Sequence, residues 1–462
     1  MRNILQHRGL RLVFIANMIS MIGSGMNSAG VTWYVLQATH SETALGTLLM
    51  LQTIPALLML PFSGVVIDRE DRRRLVMALD AARAVVVLIV AVLAYRGLAQ
   101  LWEIYLMGIL VAAGFWMFWP TMTALIQELT PGEEFVKSNS FLLAGYQGGW
   151  LIAGAIVGFV YNHIGLGGVL FLDFVSYVIS FSCYLFVRKG RHIVSVPSAV
   201  KHESEVSRFL HELRESMAYI RQRPLLLLVG TSWALFLGGM LSQGVITAPL
   251  SDRVLKAGAV GYGWLNCGWG LGAFLGSFIT PALIGNHGQR RAIGFSTALM
   301  GFSLIALPFL GAHIRGILHL PFAIVVAVPL LVVVMVYVLM GCCRALGGVA
   351  MNSSMMEQVP KHFMGRVQNT FFFAGTLLQL VLSFVVGTVA HTRGLAQGFA
   401  IVGAIYLLAC AAGSWPVKAA VEPSATQAVG EAALPSDLRP LEPQASYFTT
   451  EARRHGEEQR PE

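Results

Sequence analysis

Asp80 and Arg83 stand three positions apart inside an apolar stretch, and Asp173 and Arg344 stand alone inside two others. A charge within a membrane-length apolar segment is disfavoured by roughly 2.5 to 3.5 kcal/mol on insertion scales, so each asks for a partner or a purpose. The spacing of Asp80 and Arg83 puts them on one helix face, where they can pair with each other. Asp173 has Phe171, Phe174 and Tyr177 close by in sequence and no basic neighbour. Such a carboxyl can exchange a proton during a conformational cycle, or it can be a helix-start acid facing interfacial water. Asp80 is the second candidate for proton exchange. Arg344, beside Cys342 and Cys343, can offset an anionic ligand or pair with a carboxylate across the fold.

A second set is aromatic and amide. Trp116, Trp119 and Thr123 recur at helical spacing around Pro120, which can open the helix locally. Asn27, Gln147, Trp150, Tyr337 and Gln379 fall at comparable depth in other apolar segments. An apolar wall with a few hydrogen-bonding groups suits a small amphipathic or hydrophobic ligand. Phosphorylated metabolites would call for several convergent Arg or Lys residues. For any one of these tryptophans taken alone, packing or an interfacial belt is the simpler reading; together they point to a cavity.

The elements that carry these residues follow from composition. Of 462 residues 55% are hydrophobic and only 12% charged, about half the charge of a soluble domain. Apolar runs of 20 or more residues recur as far as about residue 418, each able to cross a hydrocarbon core of roughly 30 Å as a helix. The first run, from Leu10 through Leu36, lacks a small-residue cleavage site and reads as a retained helix. The net charge of +8 is spread over loops, not gathered into a stripe, so no nucleic-acid partner is expected. The five cysteines fall in predicted helices without zinc-ligand spacing. With no nucleotide-binding glycine loop, no His-rich metal set and no nucleophile and base arrangement, no metal, cofactor or enzymatic activity is expected.

Hydropathy places helices near 10–37, 43–66, 74–96, 101–128, 138–162 and 167–187, then near 224–249, 261–284, 290–313, 319–350, 365–392 and 395–418. The expected fold is an all-α membrane protein with twelve transmembrane helices in two pseudo-symmetric six-helix bundles, 1–188 and 224–418. Between them lies a basic linker, 189–223, whose Ser204–Arg221 stretch can form a surface amphipathic helix. Residues 419–462, rich in Ala, Pro and Glu, read as a disordered tail. Loops on one side hold twenty Lys and Arg residues against five on the other. That bias predicts a multi-pass protein of a bacterial-type inner membrane with both termini cytoplasmic.

Internal repetition supports the duplication. Gly64-Val-Val-Ile-Asp68-Arg69-Glu70-Asp71-Arg72-Arg73 follows the second span, and Ala282-Leu-Ile-Gly-Asn286-His287-Gly288-Gln289-Arg290-Arg291 follows the eighth. Glu128 to Pro131, leading to Asn139, likewise matches Glu357 to Pro360, leading to Asn369.

The stretch from Gly64 to Arg73 resembles the signature loop of the major facilitator superfamily. With Asp80, Arg83, Asn139 and the Phe171 to Phe186 stretch, the chain from about 10 to 418 is similar to the macrolide-efflux and siderophore-export branch. Asp71 stands where much of the superfamily has Gly. The resemblance implies a gate latch in which Gly64 permits a tight turn and Asp68 meets the start of the eleventh span. Arg69, Arg72 and Arg73 would then reach carboxylates such as Glu128. The alternative is a stop-transfer cluster that only fixes topology. Gly145, Gly148, Gly149, Gly154 and Gly158 stand where exporters carry a glycine-rich motif, with Ala155 in place of its Pro; close helix packing accounts for them too.

The resemblance implies a monomeric secondary transporter that exports small amphipathic, drug-like or siderophore-like molecules in exchange for protons. A lysophospholipid or other lipid flippase would share this fold and cavity, and a sensor or scaffold that has lost turnover is the reading from a different class.

Overall fold

The structure, a computed structural model, describes residues 8–130, 135–187, 205–313, 317–320, 324–360 and 363–415. The expected tail at 419–462 and the linker residues 189–204 lie outside these. Four helices come first: α1 (Arg8–Thr39), α2 (Glu42–Arg69), α3 (Arg72–Tyr95) and α4 (Leu101–Leu129). Their starts are set by local chemistry. The Ser41 hydroxyl accepts the Ala44 N–H at 3.4 Å at the head of α2, and the Gln100 N–H donates to Glu103 Oε2 at 2.8 Å at the head of α4. Asp71 caps α3, accepting the Arg74 N–H at 3.1 Å, which gives its carboxylate a use that Gly could not fill.

The fifth and sixth spans form one chain of helix, α5 (Phe135–Leu185), broken at Gly165 (φ 64°, ψ −170°), a conformation that L side chains rarely adopt. Contacts along α1 show that α5 turns back there. Before the break Gly145 lies beside Phe14 and Tyr161 donates to Gln37 Oε1 at 2.9 Å; after it Val169 abuts Gly30 and Ser176 abuts Gly23. The first arm therefore runs parallel to α1 and the second antiparallel.

Next comes α6 (Glu205–Arg221), in the segment read as the linker between the halves. The second half opens with α7 (Pro224–Ser242), α8 (Gly244–Pro249) and a π turn at Leu250–Val254. These last three form one interrupted crossing. Pro249 has no N–H to donate, and the ladder widens beyond it, with the Leu255 N–H reaching Leu250 O at 3.0 Å. Then come α9 (Gly258–His287), α10 (Gln289–His313), α11 (Val328–Gln358), α12 (Met364–Arg393) and α13 (Leu395–Ser414).

One expectation is corrected. The tenth span begins at Val328, not near 319, because β1 (Ile317–Leu320) and β2 (Ile324–Ala327) form an antiparallel hairpin ahead of it. The span also runs further at its other end, to Gln358.

Among the described residues eleven helical stretches are long and apolar enough to cross a membrane; one, Gly145–Leu185, contains the Gly165 turn and makes two crossings. The fold is therefore twelve-spanning and all-α apart from the short hairpin. Phe278, Phe295 and Phe302 are 69%, 62% and 61% exposed, as suits an outer face whose solvent is lipid. Within the first half α1 and α3 pack on α5, and within the second α9 packs on α11 and α10 on α13. The halves meet through α2 with α12 and α5 with α9, two pairings that a two-fold relation between the halves interchanges.

Candidate functional site

A cavity of about 400 Å³ lies between the halves. Asn27, Trp116, Trp150, Tyr337 and Gln379 line it, as their depth and spacing suggest. Trp119 and Gln147 do not; Trp119 instead packs edge-on against Tyr146, with ring centroids 5.0 Å apart, and Tyr146 is a lining residue. Arg344 stands behind Met240, a lining residue whose Sδ accepts from its Nε at 3.3 Å. Sequence reading missed Gln243 and Arg83, both on the wall. Gln243 sits between α7 and α8, so the interrupted crossing presents its irregular turn to the cavity. Broken helices at mid-membrane sites follow this pattern.

Behind the first-half wall three of the charges within spans, Asp173, Asp80 and Arg83, are engaged by polar neighbours. Asp173 is fully buried, so it does not face interfacial water. Its Oδ2 accepts from Asn27 Nδ2 at 2.6 Å, and Ser176 Oγ lies 3.3 Å from its Oδ1. Gly23 makes this approach of α1 to α5 feasible: a Cβ there would lie 2.0 Å from Ser176 Oγ and 2.6 Å from Asp173 Oδ1.

Asp80 pairs with Arg83 and accepts from Ser180 Oγ at 2.7 Å. The Arg83 guanidinium carbon lies 4.5 Å from the ring centres of both Phe118 and Tyr177, a double cation–π contact. The Tyr177 hydroxyl in turn sits 2.9 Å from Ser24 Oγ on the cavity wall. Gly114 leaves room for this side chain, since a Cβ there would lie 2.8 Å from Arg83 Cδ. Neither acid touches the cavity directly; Asn27 and Arg83 stand between.

Beyond the cavity, at the end where α1 joins α2, the halves are sealed. The first element is a buried carboxylate that sequence reading missed. Glu42 Oε1 pairs with Arg253 Nη1 at 2.6 Å and Oε2 lies 3.2 Å from His391 Nδ1, both partners coming from the second half. Arg253 Nη2 also donates to the His40 carbonyl at 2.8 Å, where His40 has a positive φ of 47°. The second element is glycine packing. A Cβ on Gly46 would lie 2.3 Å from Ser383 O, one on Gly158 2.4 Å from Ala259 O, and one on Gly263 2.7 Å from Gly154 O. Trp33 stacks on Tyr262 with centroids 6.0 Å apart. Two of the span-five glycines, Gly154 and Gly158, thus bring the halves together at this end.

The opposite, basic end carries the signature loop. Arg72 Nη1 pairs with Glu128 Oε1 at 3.0 Å and donates to Ala124 O at 3.2 Å. Arg73 differs from the expectation. Its Nε and Nη2 donate to Tyr184 O and Leu185 O, both at 2.7 Å, so among the described residues it satisfies the last carbonyls of α5 and not a carboxylate. The backbones of Gly64, Asp68 and Arg69 belong to the end of α2, but their side-chain surroundings, and with them the expected Asp68 contact, lie outside the described residues.

Comparison with known proteins accords with this geometry. The MFS-type transporter YkuC of Bacillus subtilis (strain 168) is 24% identical over 299 residues, 60% of this chain and 66% of that protein, so the match spans just under two thirds of YkuC. Macrolide efflux protein A of Streptococcus pyogenes is 22% identical over 296 residues, 63% of this chain and 71% of that protein. The solved structure of the nucleoside transporter NupG superposes with a TM-score of 0.69 at 12% identity, covering 87% of this chain and 98% of that one, a likeness of fold alone. The model of the Major Facilitator Superfamily matches residues 13–381. With twelve spans, a cavity between two related halves and a family match over most of its length, the chain belongs to the Major Facilitator Superfamily.

Proposed function

We propose that the chain is a secondary transporter that exports small amphipathic compounds by alternating access, exchanging them for protons at Asp173. The observation that carries this is the buried Asp173–Asn27 hydrogen bond, which ties a lone carboxylate to a residue of the cavity wall. Ionised Asp173 holds Asn27 through a charge-assisted bond, and protonation weakens that hold. Asn27 lies on α1, and Trp33, further along the same helix, stacks on Tyr262 in the seal. A shift of α1 that follows the proton therefore bears on the contact between the halves, which is the differential interaction an alternating-access cycle needs.

The charge bias supports placing the basic end in the cytoplasm, so that the Glu42 seal separates the cavity from the outside. The aromatic and amide wall supports an amphipathic cargo, and the similarity to a macrolide efflux protein supports export. In this reading the Arg72–Glu128 and Arg73 contacts brace the first half at the cytoplasmic gate. The test is accumulation and susceptibility in cells with and without the protein, using macrolides, other lipophilic antibiotics and siderophores. Lower accumulation of some lipophilic compounds is expected; an unchanged panel overturns the reading.

A further inference from the structure

Every carboxylate buried in the described helices already has a partner. Asp80 has Arg83 and Ser180, Asp173 has Asn27 and Ser176, Glu42 has Arg253 and His391, and Glu128 has Arg72. The other arginine within a span, Arg83, is likewise matched by Asp80. Arg344 is the exception. It lies at the middle of α11, half-buried, with no carboxylate in ion-pair range among the described residues. A guanidinium has five N–H donors, and here its hydrogen bond is to the Met240 thioether at 3.3 Å, a weak acceptor.

A second donor waits at the same place. The Tyr406 hydroxyl is buried and lacks a hydrogen-bond partner among the described residues. Its ring abuts Gly239, with Cζ 3.4 Å from where a Cβ would be, so it flanks the same turn of α7 that carries Met240. Tyr146, on the cavity wall, and Tyr406 are both near enough to bear electrostatically on the Arg344 guanidinium. A cation and an unused hydroxyl donor thus flank neighbouring residues of α7, Met240 and Gly239, the first of which lines the cavity, without an anion among the described residues to satisfy them. Retaining an unmatched guanidinium at mid-membrane is disfavoured unless a ligand completes it.

We propose that the transported compounds carry one anionic group, held by Arg344 and the Tyr406 hydroxyl beside Met240, while their apolar body rests on Trp116 and Trp150. The proposal rests on the export reading of this cavity and narrows its cargo to amphipathic anions. A planar guanidinium beside a hydroxyl suits a carboxylate or a phosphate monoester.

The test is equilibrium binding of 11-(dansylamino)undecanoic acid, and of its uncharged primary amide, to the full chain in phosphatidylcholine nanodiscs. The acid is expected to bind roughly tenfold to a hundredfold more tightly than the amide, as a charge-assisted bond in a dry site implies. Arg344→Gln should erase that preference while leaving amide affinity within about threefold. Arg344→Lys, which keeps the charge, should retain part of it, and Tyr406→Phe should lose part. Dodecyl phosphate and dodecanoate as competitors tell which anion is preferred, and dodecanol should compete weakly. Equal affinity for acid and amide in the wild type, or a preference that survives Arg344→Gln, overturns the anion site while leaving the amphipathic cavity standing. Failure of both probes to bind counts against the cavity reading itself, and the proposal falls with it.

Discussion

Replacing Glu42 with Gln should loosen the seal between the halves without unfolding either one. The side chain of Glu42 is fully buried, whereas Arg253 and His391 are 42% and 46% exposed. Exposed ion pairs contribute about 0 to 1 kcal/mol, and breaking a wholly buried pair costs about 3 to 5 kcal/mol. A buried carboxylate shared by two half-exposed partners belongs between these limits, at roughly 2 kcal/mol. That corresponds to about a thirtyfold change in the ratio of sealed to open states. Gln keeps the shape and a hydrogen bond but loses the charge, so the shift should approach this figure and not exceed it. Arg253→Ala, which leaves the buried carboxylate with His391 alone, should shift the ratio at least as far. Spin labels at Thr39→Cys and Arg393→Cys, in a chain freed of its five native cysteines, would read the separation of the halves at this end by electron–electron resonance. A longer-distance population should grow in both variants. A distribution within about threefold of the wild type in both would refute the idea that Glu42 holds the seal.

Other expectations are open to direct measurement. Gly158→Ala places a methyl 2.4 Å from the Ala259 carbonyl oxygen and from Val260 Cα; backbone cannot rotate away, so the same labels should report a seal that no longer closes. Gly23→Val should lower thermal stability by about 1 to 3 kcal/mol, the usual range for overpacking, because its Cβ meets Ser176 and Asp173. Asp71→Ala removes the cap of α3 and should cost about 1 kcal/mol, whereas Asp71→Gly should cost a few tenths; thermal unfolding in detergent distinguishes the two.

What could be read from the sequence was whatever a single helix determines. Length and apolarity located the spans, because crossing a bilayer imposes both on each segment separately. Depth and helical spacing brought Asn27, Trp116, Trp150, Tyr337 and Gln379 to one cavity. The tenth span was misplaced at its start because Ile317–Ala327 is as apolar as a helix, and hydropathy does not separate a β hairpin from the first turns of a span. Contacts between distant segments were not legible. Nothing near Glu42 in sequence points to His391, which lies 349 positions away. Asp173 and Asn27 are 146 positions apart, and their meeting depends on Gly23 admitting α5 to the face of α1. Arg344 was visible as an anomaly, but its lack of a carboxylate among the described residues emerges only when the buried acids described are each seen to be engaged.

Proton exchange at Asp173 is the centre of the account, and flux through proteoliposomes tests it most directly. A labelled compound that the accumulation panel identifies as cargo should move faster when a pH gradient is imposed on vesicles holding the wild-type chain, and a protonophore should abolish the gain. With Asp173→Asn the response to the gradient should vanish while exchange of labelled for unlabelled substrate persists. Equal flux with and without the gradient in the wild type, or a gradient response that survives Asp173→Asn, would contradict the account.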